Sequence, residues 1–246
     1  MSRVRVDRLL LERGLAPSRT RARALIDAGK VVANGAQVLR ASELFDELVE
    51  LALRELDHPY VSRGGVKLEG ALTAFGLELT GLVVADVGAS TGGFTDCVLR
   101  HGARTVYAVD VGHDQLHPRL RSDPRVISME GVNARYMAAD TLPERVDLVV
   151  VDASFISLVK LLPALVSLLD DAGRLLALVK PQFEVGPERV GARGVVSDDA
   201  LRAEALASVG EAARALALEL VQSCDSKLPG PQGNREIFAL FTRSAG

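Results

Sequence analysis

The sequence predicts an α/β protein: a doubly wound, mostly parallel sheet wrapped by helices, preceded by a small α+β domain. Three observations carry that prediction. From Leu82 onward, short apolar runs alternate with helical stretches, the pattern of strands buried on both faces. The last two apolar runs have no helix between them, so they pair antiparallel at one end of the sheet. The first 60 residues follow another grammar, locally basic and punctuated by turn signals.

The N-terminal elements come first. Residues 6–14 predict a short helix with Leu9 and Leu10 inward. Ser18 is placed to N-cap a second helix over 19–28, which Gly29 stops. Arg19 and Arg23 lie four apart on one face, while Ala22, Leu25 and Ile26 can face a core. Asn34-Gly35 is the favoured pair for a type I′ turn, so 31–38 predict a β-hairpin. Ser18-Arg19-Thr20, Gly29-Lys30-Val31 and Asn34-Gly35 together resemble the αL RNA-binding module of the small-ribosomal-protein "S-four" family. That resemblance covers about the first 60 residues, and it implies RNA contacts from Arg5, Arg19, Arg23 and Lys30, with Arg63 just beyond. Residues 1–58 are assigned to this module. Residues 59–65, with Pro59 and Gly64-Gly65, read as a linker; the helical pattern resumes at Val66, and 66–246 form the second domain.

In that second domain, strands are predicted over 82–87, 106–111, 125–129, 147–151 and 175–179, and helices over 94–101, 156–170 and 199–217. The closing hairpin comprises 218–223 and 237–242, joined through Pro229-Gly230-Pro231-Gln232-Gly233. A doubly wound sheet ending this way resembles the Rossmann-like fold of class I methyltransferases.

Composition sets the outer bounds. With 246 residues, 48% of them apolar, a disordered chain is excluded. There are 29 Lys and Arg against 32 Asp and Glu, a net charge of −3. Yet residues 1–30 hold eight basic and three acidic residues, and 31–60 reverse this with two and six. A basic head on a near-neutral chain is a footprint for nucleic acid; alone, it reads equally as a solvated helix face. Two cysteines, Cys97 and Cys224, cannot build a disulfide framework and fit a reducing cytoplasm. No signal peptide and no apolar run of about 18 residues is found, so no membrane partner is expected. Aromatics at 4%, with no Trp, argue against a module built on base stacking. A monomer is assumed.

The first predicted strand runs into Gly88-Ala89-Ser90-Thr91-Gly92-Gly93-Phe94, and Asp110 ends the second strand 22 residues after Gly88. Three readings compete. A nicotinamide site needs G-x-G-x-x-G, and position 90 is Ser. A hydrolase elbow fits Gly88-Ala89-Ser90-Thr91-Gly92, but its base should be a late histidine, and none follows His117. The third is S-adenosylmethionine, with residues 88–94 under the methionine and ribose and Asp110 on the ribose hydroxyls. Loop, acid and terminal hairpin occur together, which favours the third. Glu130, Asn133 and Arg135 follow the third strand, where this fold meets adenine; an ordinary polar loop fits as well. His113 and His117 have zinc-like spacing, but Pro118 interrupts them and no third ligand is evident, so no metal is expected.

Polar residues at strand ends point to what is methylated. Asp152 ends the fourth strand, Lys180 the fifth; Glu236 starts the last strand, and Lys67 opens the helix after the linker. Carboxyl ends of parallel strands face the ligand crevice. The order Lys67, Asp152, Lys180, Glu236 matches the Lys-Asp-Lys-Glu tetrad of FtsJ-like ribose 2′-O-methyltransferases. Tyr60-Val61-Ser62-Arg63-Gly64-Gly65-Val66-Lys67-Leu68, Asp86 to Asp96, Val151 to Leu158, Val179 to Glu184 and Gly233-Asn234-Arg235-Glu236 resemble the TlyA family across essentially the full chain. The resemblance implies S-adenosylmethionine-dependent 2′-O-methylation of cytidine in ribosomal RNA or ribosomal subunits. It assigns the four tetrad residues as catalytic, with Asp152 also at the cofactor. Some members of that family are called haemolysins. A non-catalytic RNA-binding protein and a membrane-active haemolysin are the alternatives.

A neutral ribose hydroxyl is a poor nucleophile. Lys180 is expected nearest to it, either taking its proton or steadying the developing alkoxide. The two lysines and two acids are expected to act as a coupled set. Residues 184–194, rich in Gly and Arg, read as a flap or as a plain surface loop.

Overall fold

The computed structural model describes residues 3–16, 18–54, 58–191, 194–230 and 232–243. The N-terminal domain comprises β1 (Arg3–Arg5), α1 (Val6–Glu12), α2 (Arg19–Asp27), β2 (Val31–Ala33), β3 (Ala36–Gln37), β4 (Leu44–Asp46) and β5 (Leu51–Leu53). Val6, Leu9, Leu10, Ala22 and Ile26 from the helices pack on Val31, Ala33 and Val38. Ser18 caps α2, its Oγ accepting the Arg21 N–H at 3.1 Å. Asn34 and Gly35 both take positive φ, 48° and 78°, which gives the type I′ turn between β2 and β3. β5 completes a three-stranded sheet with them, and β1 pairs with β4. These strands, two or three residues long, are too short to show a period in sequence.

The C-terminal domain comprises α3 (Arg63–Phe75), β6 (Val83–Val87), α4 (Gly93–Arg100), β7 (Thr105–Asp110), α5 (Pro118–Arg121), β8 (Val126–Glu130), β9 (Val146–Val151), α6 (Leu162–Leu168), β10 (Leu169–Val179), α7 (Pro181–Glu184), α8 (Asp199–Arg214), β11 (Leu218–Asp225) and β12 (Ile237–Arg243). The sheet order is β11-β12-β10-β9-β6-β7-β8, parallel except for β12, which runs antiparallel to both neighbours. Each face carries a core. Leu162, Leu165, Val209 and Ala213 of α6 and α8 cover one face; Leu68, Leu72, Phe94 and Val98 of α3 and α4 cover the other. The strand order reverses between β6 and β9, so the ligand crevice of such a sheet opens there.

Two elements depart from expectation. The helix predicted over 156–170 splits into a 3₁₀ turn, Leu158–Lys160, and α6, and the chain is already extended at Leu169. Pro163 sits in the first turn of α6, where a missing N–H costs nothing. Arg145 takes the carbonyls of Ser167 and Leu169 at 2.8 and 3.1 Å, closing the helix end. The helix expected from Val66 begins at Arg63 instead. Tyr60 and Val61, read as linker, are 4% and 6% exposed and pack in the C-terminal core. Val61 N–H donates to Asp96 at 2.9 Å, and a Cβ on Gly65 would lie 2.3 Å from the Tyr60 ring. Residues 55–57 at the end of the expected N-terminal module, Pro231 of the hairpin connection, and Ala192 and Arg193 of the expected flap lie outside the described residues.

The two domains touch. Arg21, Ala24, Leu25, Ala28 and Lys30 share a small cavity with Val61, Thr91 and His117. Among the described residues no helix is long and apolar enough to cross a membrane.

Candidate active site

The sheet register brings the strand-end residues to one rim. Val87 pairs with Val151, Ala177 with Val151, and Val179 with Ile237. Gly88, Asp152, Lys180 and Glu236 are therefore the first residues beyond four adjacent strands at the same edge. Lys67, on the second turn of α3, reaches them from above that face. Lys67 Nζ meets Glu236 Oε2 at 2.5 Å, and Lys180 Nζ meets Asp152 Oδ1 at 2.6 Å. The four expected residues thus converge as two ion pairs. Lys67, Lys180 and Glu236 are 7%, 8% and 1% exposed. The Asp152–Lys180 contact is ionic, without hydrogen-bond alignment at Oδ1, and Lys180 donates its aligned bond to Ser154 Oγ at 2.7 Å. Burial alone would raise the Asp152 pKa, but the charges of Lys180 and Lys67 hold it below the usual carboxylate range. Asp152 therefore feels both lysines.

Gly88 explains how the rim closes so tightly. Its φ is +85°, and a Cβ there would lie 2.6 Å from the Asp152 carbonyl oxygen. Only glycine lets the end of β6 pass that close to the end of β9. Ser90 also adopts a left-handed φ, 48°. Asp110, at the end of β7, fixes the loop: its oxygens accept the Ser90 N–H at 2.8 Å and the Gly112 N–H at 2.7 Å. Each oxygen keeps a second lone pair for a ligand hydroxyl.

The rest of the expected cofactor set divides. Gly88 and Ser90 are partly exposed, whereas Ala89, Thr91, Gly92 and Gly93 are buried. Phe94, expected at the cofactor, is a core residue: it is 3% exposed and stacks on Phe238 with centroids 6.0 Å apart. Helix periodicity turns it inward once α4 starts at Gly93. Asn133 is exposed, and its Oδ1 caps the 3₁₀ turn Ala134–Tyr136 by accepting the Arg135 N–H at 3.1 Å. His117 Nδ1 caps α5, accepting from Arg119 N–H at 3.2 Å. Among the described residues no group of three or more His, Cys, Asp or Glu could hold a metal ion.

Two residues without an assigned role in the sequence reading stand out. Asp86, one residue before the end of β6, is 0% exposed. Its Oδ2 accepts from Thr95 at 2.6 Å, while Oδ1 is buried with no hydrogen-bond partner. Burial pushes its pKa up to about 7, with the Asp152 and Asp110 charges adding to the rise. A carboxylate inside the apolar run Val83-Val84-Ala85-Asp86-Val87 was the available signal. Phe155 is the other: 88% exposed, with a φ of +65° rare for an aromatic residue. Its ring lies 5.6 Å from that of Phe183, three residues past Lys180. Glu184 pins the Phe155 loop by accepting from Ser157 Oγ at 2.6 Å and Leu158 N–H at 2.8 Å.

On the N-terminal domain, the expected RNA contacts also divide. Arg5 and Arg19 both reach Asp7 Oδ2 at 2.9 Å, so they clip β1 and α2 to α1 and share one negative charge. Arg23 is exposed and Lys30 half-buried toward the domain junction. Arg63 opens α3 and donates to the Pro229 carbonyl at 3.3 Å.

Known proteins resemble this chain. Residues 60–243 match the FtsJ-like methyltransferase family, and residues 4–47 match the S4 domain. The 16S/23S rRNA (cytidine-2′-O)-methyltransferase TlyA of Mycobacterium tuberculosis is 46% identical over 237 residues, which cover 96% of this chain and 88% of that protein. Hemolysin A of Brachyspira hyodysenteriae is 37% identical over 97% of this chain and 99% of its own. The solved structure of a putative hemolysin from Streptococcus thermophilus superposes with a TM-score of 0.77 at 41% identity, covering 100% of this chain and 90% of that one.

Proposed function

The chain belongs to the FtsJ-like methyltransferase family and carries an S4 domain ahead of it, and from that footing we propose that it transfers a methyl group from S-adenosylmethionine to the ribose 2′-hydroxyl of cytidine in ribosomal RNA. One observation carries the reading: Lys67, Asp152, Lys180 and Glu236 meet as two ion pairs on the strand rim beside Gly88.

The residues present fit the cofactor. Asp86 Oδ1, buried and without a partner, is an acceptor suited to the ammonium of the methionine moiety. Gly88, by letting β6 and β9 approach, brings Asp152 and the partly exposed Gly88 and Ser90 to one lip of the crevice. Asp110 retains lone pairs for ribose hydroxyls. S-adenosylmethionine, when bound, supplies a methyl already activated by its sulfonium.

This chain's residues then align and steady the acceptor. Lys180, nearest the incoming hydroxyl, stabilises negative charge as the oxygen attacks. Bound there, S-adenosylmethionine would supply the methyl to that oxygen and leave with the C–S electron pair on its sulfur. The hydroxyl becomes strongly acidic as it takes the methyl, so its proton passes to Asp152 or water without a strong base. Lys67 and Glu236 hold the other side of the acceptor. Phe155, exposed three residues past Asp152 and next to the Phe183 ring, stacks on the flanking or target base, an interaction worth about 1–3 kcal/mol. The S4 domain contributes phosphate contacts that position the RNA.

Lys180→Ala tests the assignment. It should bind S-adenosylmethionine by calorimetry and lose tritium transfer to ribosomal subunits by about 10²–10⁴-fold. Wild-type turnover would overturn the role of Lys180.

A further inference from the structure

The junction between the domains holds two arginines from opposite sides around a single glycine. Gly29, with φ +75°, has no side chain, and a Cβ there would lie 2.9 Å from Gln37 Nε2 and 3.1 Å from Arg63 Cδ. Arg54, just past β5, donates from Nε to the Gly29 carbonyl at 3.2 Å and from its terminal nitrogen to Gln37 Oε1 at 2.9 Å. Arg63, on the first turn of α3, packs on Gly29 from the other domain. Among the described residues, every ion pair lies elsewhere, so neither guanidinium has a carboxylate within pairing distance. By contrast, Arg5, Arg8, Arg19, Arg100, Arg119, Arg121, Arg125 and Arg202 are each paired with an acid. Gln37 Nε2 is buried with no acceptor.

Like charges brought together raise the energy of the free protein, and an anion relieves it. Burial weakens the hold of Arg63 on its proton, and Arg54 adds to that while Glu236 opposes it. An N–H donor left without a partner at the same point asks for an acceptor oxygen. The first turn of α3, where Ser62 makes no side-chain cap, lies beside it. We propose that Arg54, Arg63 and Gln37 form a clamp for one RNA phosphodiester at the domain junction, passing the strand from the S4 surface into the acceptor crevice.

The position specifies which phosphate. Arg63 lies one helical turn before Lys67 and bonds the Pro229 carbonyl, while neighbouring Gly230 abuts Glu236. A phosphate held there is adjacent to the nucleotide at the tetrad. The clamp therefore sets how far the RNA enters the site, and it couples the two domains through substrate. The inference rests on the RNA-methylating reading for the identity of the strand, while its test reads binding alone.

The test uses the full chain, labelled ribosomal RNA, and affinity measured across a salt series. Replacing Arg54→Gln or Arg63→Gln should lower the slope of log affinity against log salt by about 1 each, and both together by about 2. Arg54→Lys and Arg63→Lys keep the charge and should restore most of the slope. An unchanged slope in the double glutamine variant overturns the clamp. Equal losses in the lysine and glutamine variants overturn it too, since they would report only docking geometry. A chain that shows these slopes yet transfers no methyl group to ribosomal RNA would sink the proposed function and leave the clamp standing.

Discussion

The two domains keep their charges in opposite places. In the C-terminal domain Lys67, Asp86, Lys180, Arg202 and Glu236 are all less than a tenth exposed. In the N-terminal domain Asp7 is the one buried charge among the described residues, and the arginines around it remain largely in solvent. The difference follows from what each surface does. Alkyl transfer gains from fixed charges in a dry site, where they act strongly and need no reorganisation. Phosphate binding over a long strand gains from exposed cations that exchange counterions for RNA. The cores match this division: strands of two or three residues suffice to present arginines, whereas strands of five to eleven hold a rim in register.

Substitutions at four positions sharpen or break the contrast, beyond the turnover loss expected of Lys180→Ala. The largest stability effect belongs to Glu236→Ala. It strands Lys67, 7% exposed, without its partner at 2.5 Å, and should cost about 3–5 kcal/mol in denaturant unfolding. Glu236→Gln should recover part of that. A cost below about 1 kcal/mol would mean the C-terminal charges are not held as buried pairs.

Gly88→Ala comes next. The left-handed φ and the close Asp152 carbonyl predict a loss of about 1–3 kcal/mol, together with weaker S-adenosylmethionine binding by calorimetry. Unchanged cofactor affinity would detach Gly88 from the crevice.

The remaining two set the domains against each other by pH. Asp86 has its folded pKa raised to about 7, so the native state holds a proton that the unfolded chain releases. Its contribution to stability is largest below the unfolded pKa and falls as pH rises to about 7. Asp86→Asn should flatten that decline, read as thermal midpoints from pH 4 to 8. Asp7 behaves in the opposite sense. Its hydrogen bond to Arg5 lowers its pKa, burial opposes this, and Arg19 adds to the lowering. That contribution is present above the unfolded pKa and is lost as pH falls through the folded value. Asp7→Asn should therefore remove an acid-sensitive step in the N-terminal domain, at a cost of about 1 kcal/mol near neutral pH. Parallel pH profiles for both variants would refute the division.

Much of this was legible before any coordinates. Apolar runs gave the five parallel strands and the closing pair, most plainly for the central strands, which are buried on both faces and need unbroken apolar sequence. Asn34-Gly35 gave the hairpin, because few other pairs accept two positive φ angles. Asp86 and Phe155 were harder to read. A lone acid in a strand and a lone aromatic in a loop become informative only when burial and exposure are known. Arg54 was also silent, since nothing local marks a guanidinium that will pack at a domain junction.

Sequence alone determined the alternating strands and helices of the C-terminal domain and the basic head, since these rest on local periodicity and residue type, while the Lys67-Asp152-Lys180-Glu236 set came from a family resemblance. Tertiary structure decided which charges neutralise one another. Arg5 and Arg19 turned to Asp7, while Arg54 and Arg63 have no ion-pair partner among the described residues. Pairing depends on distances of a few ångströms between residues far apart in the chain, and only packing fixes those.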